Sequence, residues 1–275
     1  MSWLEAAILG LLQGLTEFLP ISSSAHLRIA GILMPSGADP GAAFTAITQI
    51  GTELAVLIYF RNDILRIATA WLKQVTFRGS YERSDARMGW LVIIGSIPIV
   101  VLGLVFKDAI ETSLRNLYIT ATMLIVFGIL LGVVDYIGRR QRTLDQLNWK
   151  DGILFGLAQA MALIPGVSRS GGTISAGLAM GYTREAAARY SFLLAIPAVV
   201  GSGFYQLAKS WGESGPVGPG QTALATLIAF ISGYCVIVAF LKLVSARSYM
   251  PFVYYRIALG LALLGLLWSG EISAI

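Results

Sequence analysis

Leu117-Tyr-Ile-Thr-Ala-Thr-Met-Leu-Ile-Val-Phe-Gly-Ile-Leu-Leu-Gly-Val-Val134 runs for eighteen residues without one charged side chain. A helix of about 20 apolar residues crosses the hydrocarbon core of a bilayer. Five further stretches read the same way: Ala43–Phe60, Trp90–Phe106, Tyr190–Leu207, Thr222–Val244 and Phe252–Trp268. They are continuous rather than alternating, which excludes a transmembrane β-barrel. Of the 275 residues, 56% are hydrophobic and 13% charged, against about 25% charged in an average soluble domain. Mean hydropathy is +0.73. The expected fold is an all-α polytopic membrane protein with six transmembrane helices, one integral membrane domain over residues 1–275. Met1–Leu12 lacks the basic start of a signal peptide. One cysteine, Cys235, and one histidine, His26, exclude an intramolecular disulfide and a Cys/His zinc site.

The net charge of +5 reads as membrane topology rather than nucleic-acid binding. Lys and Arg mark the cytoplasmic ends of short connections. Arg61, Arg66, Lys73, Arg78, Arg83 and Arg87 fall in one connection, and Arg139, Arg140, Arg142 and Lys150 in another. Arg184 and Arg189 mark a third, and Lys242, Arg247 and Arg256 bracket the last. The alternate connections, including the Gly/Pro-rich Ser210–Gln221 loop, carry few. Both termini are then expected outside the cytoplasm. Trp90, Tyr118, Tyr136 and Trp268 read as interfacial anchors.

Two segments remain, Ser2–Met34 and Asp151–Met180, each broken midway by Pro and Ser. The loops before and after the second are both basic, so it is expected to enter and return on the cytoplasmic side as a re-entrant helical hairpin. The first would do the same from outside. Gly10-Leu-Leu-Gln13 matches Gly156-Leu-Ala-Gln159, and Phe18-Leu-Pro20-Ile-Ser-Ser matches Leu163-Ile-Pro165-Gly-Val-Ser with one residue fewer in the second copy. The pattern is an inverted-topology repeat with halves 1–136 and 137–275, an architecture that puts a polar site near the midplane.

The first break reads Gln13-Gly-Leu-Thr-Glu17-Phe-Leu-Pro20-Ile-Ser22-Ser23-Ser24-Ala25-His26. Gln13 and Glu17 share a helix face, Pro20 ends that helix, and the serines suit the N-cap of a returning one. The second reads Pro165-Gly166-Val-Ser168-Arg169-Ser170-Gly171-Gly172-Thr173. Gly166 and Gly171 admit a close ligand, and Arg169 is a planar fork suited to phosphate oxygens. Helix N-termini attract the same anion. Phosphoryl transfer needs charge neutralisation, positioning and a nucleophile. Arg169 and the helix N-termini supply the first two, and a serine or a water the third. His26 is a candidate acid or base, and Glu17 would orient it or bind a metal. Intramembrane Glu, His and Arg are functional by default; the alternative for Glu17 and Arg169 is an ion pair joining the segments. Ser22, Ser24 and Ser170 read equally as phosphate contacts or caps. Gln13 and Gln159 read as phosphate contacts or helix-joining amides. Glu53 and Asp135 read as structural, and Arg28 as a headgroup contact.

The two breaks resemble the signatures of the undecaprenyl-pyrophosphate phosphatase family, the bacitracin-resistance proteins of bacteria. Gln49-Ile-Gly51 and Ser191-Phe-Leu-Leu-Ala-Ile-Pro197 extend the likeness. The resemblance implies hydrolysis of undecaprenyl diphosphate to undecaprenyl phosphate, recycling a carrier lipid for wall synthesis. It implies a site on the outer side of the bacterial cytoplasmic membrane and a divalent cation, Mg²⁺ or Ca²⁺. It gives Ser23 the nucleophile's role, Arg169 phosphate binding with Ser168 beside it, His26 the histidine's place, and Gln13 and Glu17 the acidic pair. Gln13 departs from the glutamate of many relatives, which leaves Glu17 as the carboxylate for a metal. Expected partners are the lipid substrate and bilayer lipids, not nucleic acid, with a homodimer left open. The competing readings are a polyprenyl-phosphate transporter or flippase and a non-catalytic membrane scaffold.

Overall fold

The computed structural model describes residues 1–37, 39–209 and 217–274. Most of the expected Ser210–Gln221 loop falls outside them. The six apolar runs are helices α3 (Gly41–Tyr59), α5 (Arg83–Val105), α7 (Leu117–Ile137), α10 (Arg184–Lys209), α11 (Pro219–Ala246) and α12 (Met250–Trp268). All six are long and apolar enough to cross a bilayer. Leu104, Val105, Ile129, Val133, Leu227, Ile231 and Leu261 are exposed along them, as is Cys235. Apolar surface this continuous requires lipid rather than water around it.

The two broken segments form helix pairs. The first is α1 (Trp3–Thr16) and α2 (Ser23–Leu33), and the second is α8 (Trp149–Ala160) and α9 (Arg169–Ala179). The members of each pair pack on one another, so each segment folds back. An acidic residue from the first turn closes each open end. Glu5 accepts the backbone N–H groups of Ser2 at 2.6 Å and Ser36 at 2.9 Å. Asp151 accepts the hydroxyl of Tyr182 at 2.7 Å and pairs with Arg142, which also donates to Met180 O. Burial and the Asp151 carboxylate push the Tyr182 hydroxyl up, so it stays a donor.

Each first helix packs tightly on one spanning helix, α1 on α11 and α8 on α5. Glycine permits this. A Cβ on Gly10 would stand 2.7 Å from Ala225 Cα, and one on Gly156 would stand 2.8 Å from Gly95 Cα. Helices α3 and α10 pack together, as do α7 and α12. Phe18, Phe60, Phe192 and Phe240 lie at the centre of the core.

Three expectations change here. The basic stretch 61–87 contains an amphipathic helix, α4 (Arg61–Val75), tied to the bundle by Arg189–Asp63 (2.7 Å) and Arg66–Asp85 (3.0 Å). Trp90 donates to Gln74 and packs against Trp71 of this helix. Arg28 is buried rather than at the headgroups: it pairs with Asp39 at 3.4 Å and donates to Arg115 O and Ala274 O. Arg256 marks no connection. It is fully buried within α12, because its stem passes Gly128 of α7 into the centre of the bundle. A short helix, α6 (Lys107–Glu111), follows α5.

Candidate active site

The tips of the two helix pairs meet. Helix α1 stops at Thr16, four residues before Pro20, and Glu17 forms its C-cap. The helix gives out before the proline because the chain turns over residues 17–21. Gln13 and Glu17 still share a face, and Gln13 Nε2 donates to Glu17 Oε2 at 2.6 Å. Ser23, the first residue of α2, donates its hydroxyl to the same oxygen at 2.6 Å. The other oxygen, Oε1, accepts Arg169 Nη2 at 2.7 Å. Arg169 is the first residue of α9. One buried carboxylate thus joins a serine from one tip and an arginine from the other. Arg169 Nη1 has no protein partner, so half of the fork stays available to an anion. The ion pair read from the sequence exists, and it leaves that capacity intact.

Ser22 and Ser168 are the N-caps of α2 and α9, and both take left-handed φ, 71° and 70°. Ser168 caps with its side chain by accepting Gly171 N–H, whereas Ser22 does not cap and lies 3.3 Å from Ser24 Oγ. Ser170 donates to Leu19 O at 3.0 Å, linking the tips. Gly166, at φ +95°, lies against the Thr120 carbonyl of α7, and Gly171 lies beside Arg256 Nη1. The close neighbours of these two glycines are protein groups.

His26 Nδ1 faces the Ser22 carbonyl at 2.8 Å, and Nε2 faces Tyr255 Oη at 2.6 Å. A carbonyl only accepts, so Nδ1 carries the proton; when the ring is neutral, Nε2 accepts the tyrosine hydroxyl. The Tyr255 ring stacks on the imidazole, 5.5 Å between centroids. Ser23 turns to Glu17 and His26 to Tyr255, although their spacing allowed a shared face.

Three residues near the site were missed from the sequence. Arg256 donates to Pro20 O at 2.9 Å and to Gly166 O at 2.8 Å, one carbonyl from each tip. An arginine inside an apolar run, even near its start, was the signal for it. Tyr255 is its neighbour. Glu53, read as structural, is 1% exposed with neither oxygen hydrogen-bonded. It lies within electrostatic reach of Arg169 and Glu17. Its i, i+4 spacing from Gln49 repeats that of Gln13 and Glu17, and Gln49 Nε2 lies 3.4 Å from Glu17 Oε2. Asp135 sits elsewhere, holding Arg184, Ser248 and the Tyr249 N–H. Among the described residues, no three His, Cys, Asp or Glu side chains form a metal cage.

Comparison with known proteins gives this geometry a family. The chain is 75% identical to undecaprenyl-diphosphatase 2 of Agrobacterium fabrum, covering 100% of this chain and 99% of that one. It is 66% identical to the undecaprenyl-diphosphatase of Paenarthrobacter aurescens, covering 100% of both. It is 59% identical to undecaprenyl-diphosphatase 2 of Streptomyces avermitilis, covering 99% of this chain and 97% of that one. Residues 6–262 match the family described as "Bacitracin resistance protein BacA", and the chain belongs to that family.

Proposed function

We propose that this protein hydrolyses undecaprenyl diphosphate to undecaprenyl phosphate and inorganic phosphate, recycling the lipid carrier of cell-wall synthesis and conferring bacitracin resistance. The carrying observation is the Glu17 carboxylate, which accepts the Ser23 hydroxyl and the Arg169 guanidinium together. A nucleophile and a phosphate ligand therefore share one base. The terminal phosphate lies on the free edge of Arg169 and on the N-termini of α2 and α9. Ser168, Ser170, Ser22 and Ser24 line those N-termini.

Ser23 Oγ attacks the terminal phosphorus as its proton passes to Glu17 Oε2. The bridging P–O bond breaks, and undecaprenyl phosphate leaves. Water then cleaves the phosphoserine, with His26 as the acid–base group that serves it. Transporters are also built from broken helices; a nucleophile hydroxyl placed on a base beside a phosphate ligand favours hydrolysis here.

The donor set fits a divalent cation. Such ions, Mg²⁺ above all, bind through one or two carboxylates plus substrate phosphates. Glu53 and the unpartnered Gln13 Oε1 would hold it, since Glu17 is engaged by Arg169, Ser23 and Gln13. When bound, it supplies charge neutralisation to the diphosphate.

The two helix pairs are re-entrant hairpins in an inverted repeat. Their helices have 11 to 14 residues, about 16–21 Å at 1.5 Å per residue, short of a bilayer core of about 30 Å. Their open ends lie toward opposite ends of α3. Phe44, near its start, packs with Leu9 and Leu27 of the first pair. Asp63, just past its end, lies in a cleft with Asp145 and Leu147, which precede the second pair. Exchanging the halves also exchanges the α1–α11 and α8–α5 contacts. The basic ends face the cytoplasm, and the site and both termini face outward.

The test is phosphate release from undecaprenyl diphosphate by the full chain in detergent. Arg169→Ala and His26→Ala should abolish it while the protein stays folded. Substrate labelled in the terminal phosphate should leave label on Ser23 after acid quench. Normal turnover in both variants would overturn the site. Full turnover by Ser23→Ala would overturn the nucleophile.

A further inference from the structure

Breaking a helix inside a membrane leaves carbonyls without partners, and each is costly in hydrocarbon. At both tips, one side chain satisfies them. Arg256 Nη1 donates to Pro20 O at 2.9 Å. Nη2 donates to Gly166 O at 2.8 Å and Val167 O at 3.1 Å. Nε and Nη2 continue to Leu124 O and Met123 O of α7, both at 3.2 Å. Every acceptor is a backbone carbonyl, and no carboxylate pairs with Arg256 among the described residues. The side chain reaches there past Gly171, where a Cβ would stand 2.6 Å from Nη1.

Pro20 lies between Glu17 and Ser23, and Gly166 and Val167 lie just before Arg169. A fork of fixed shape therefore ties the carbonyl behind each reacting group to a common plane. The preceding residue of α12, Tyr255, holds His26 Nε2. We infer that Arg256 is a positioning residue for the phosphoryl transfer, setting the separation of the two tips and hence of Ser23 from Arg169. The inference rests on the site proposed above.

Lysine keeps the charge but not the planar fork, so Arg256→Lys tests geometry apart from charge. Arg184→Lys is the comparison: it alters another paired arginine, 19% exposed and bound to Asp135, which contacts neither tip. Both are purified as full chains in detergent and compared by thermal unfolding and steady-state phosphate release. A displacement of about 1 Å costs about 100-fold in rate. Arg256→Lys should thus lower kcat about 10- to 100-fold per folded molecule, with KM within about threefold. Combined with Arg169→Lys, its loss should be less than multiplicative, because both act on one geometry. Arg184→Lys should lower the melting temperature and leave kcat per folded molecule unchanged. Wild-type kcat in Arg256→Lys, or a loss accounted for by its unfolded fraction, would overturn the inference. Full activity in Arg169→Ala would overturn the site reading instead.

Discussion

Ser22 and Ser168 occupy the same place in two different helix pairs. Each follows a fully buried glutamine by nine residues, Gln13 or Gln159. Each is an N-cap in the left-handed region, at φ 71° and 70°, and each hydroxyl lies against that of the serine two residues on, at 3.3 and 3.2 Å. The following residues, Ser23 and Arg169, then meet at Glu17. The left-handed turn is what aims both inward, because it reverses the chain in one residue. Glycine adopts this backbone freely, whereas a β-branched residue there is strained by about 1–3 kcal/mol. Ser22→Gly should keep the melting temperature within a few degrees and retain most phosphate release. Ser22→Val should lower both. Equal behaviour of the two variants would mean that the turn does not control the site.

The Glu17–Arg169 pair has side chains 3% and 12% exposed. Removing one partner of a buried pair costs about 3–5 kcal/mol, because the other charge is stranded. Glu17→Gln should therefore lose both stability and turnover. The double variant Glu17→Gln, Arg169→Met should regain most of the stability and none of the turnover. Thermal unfolding and phosphate release on the same samples separate the two effects. A double variant less stable than Glu17→Gln would show that the pair is not a stranded-charge problem.

Six spans were legible because a helix in lipid must be apolar for about 20 residues, and little else in a sequence imitates that. The tips were legible because Pro, Ser and charge inside apolar runs are rarely tolerated without cause. The register between them was not. Matching the prolines set Ser23 opposite Ser168, whereas the caps set Ser22 there; Pro20 and Pro165 sit at different points of their turns. Arg256 was misread because charge counting assigns an arginine near a helix end to the interface. It could not detect that Gly128 and Gly171 open a path inward. Glu53 was missed because its neighbours come from other helices. Helix α4 was missed because a basic stretch reads as a loop until its apolar positions are placed on one face.

Tyr255 contributes a hydroxyl to His26 and a nearly parallel ring beside it. Phenylalanine keeps the ring and removes the hydroxyl. One neutral hydrogen bond is worth about 0.5–1.5 kcal/mol, so Tyr255→Phe should slow turnover about two- to tenfold with unchanged unfolding. Tyr255→Ala should lose more, as the imidazole then has neither contact. Comparing kcat for the two variants checks this. Identical losses would assign the whole effect to the hydroxyl.

Glu53 supplies the last prediction. Neither of its oxygens has a protein partner, although it is 1% exposed. A carboxylate in that state is either compensated by a cation or neutral. If it holds the divalent ion together with Gln13, Glu53→Gln should raise the Mg²⁺ concentration for half-maximal phosphate release about tenfold or more, since one of few ligands is lost. Gln13→Glu adds a charge at the second donor and should shift the requirement the opposite way. Titrating Mg²⁺ after EDTA treatment, with Mn²⁺ binding followed by electron paramagnetic resonance, reads the ion apart from turnover. A Glu53→Gln protein that binds Mn²⁺ like the wild type while Glu17→Gln does not would return the ligand role to Glu17. The Glu17 hydrogen bonds to Gln13 and Ser23 would then have to open when the ion binds.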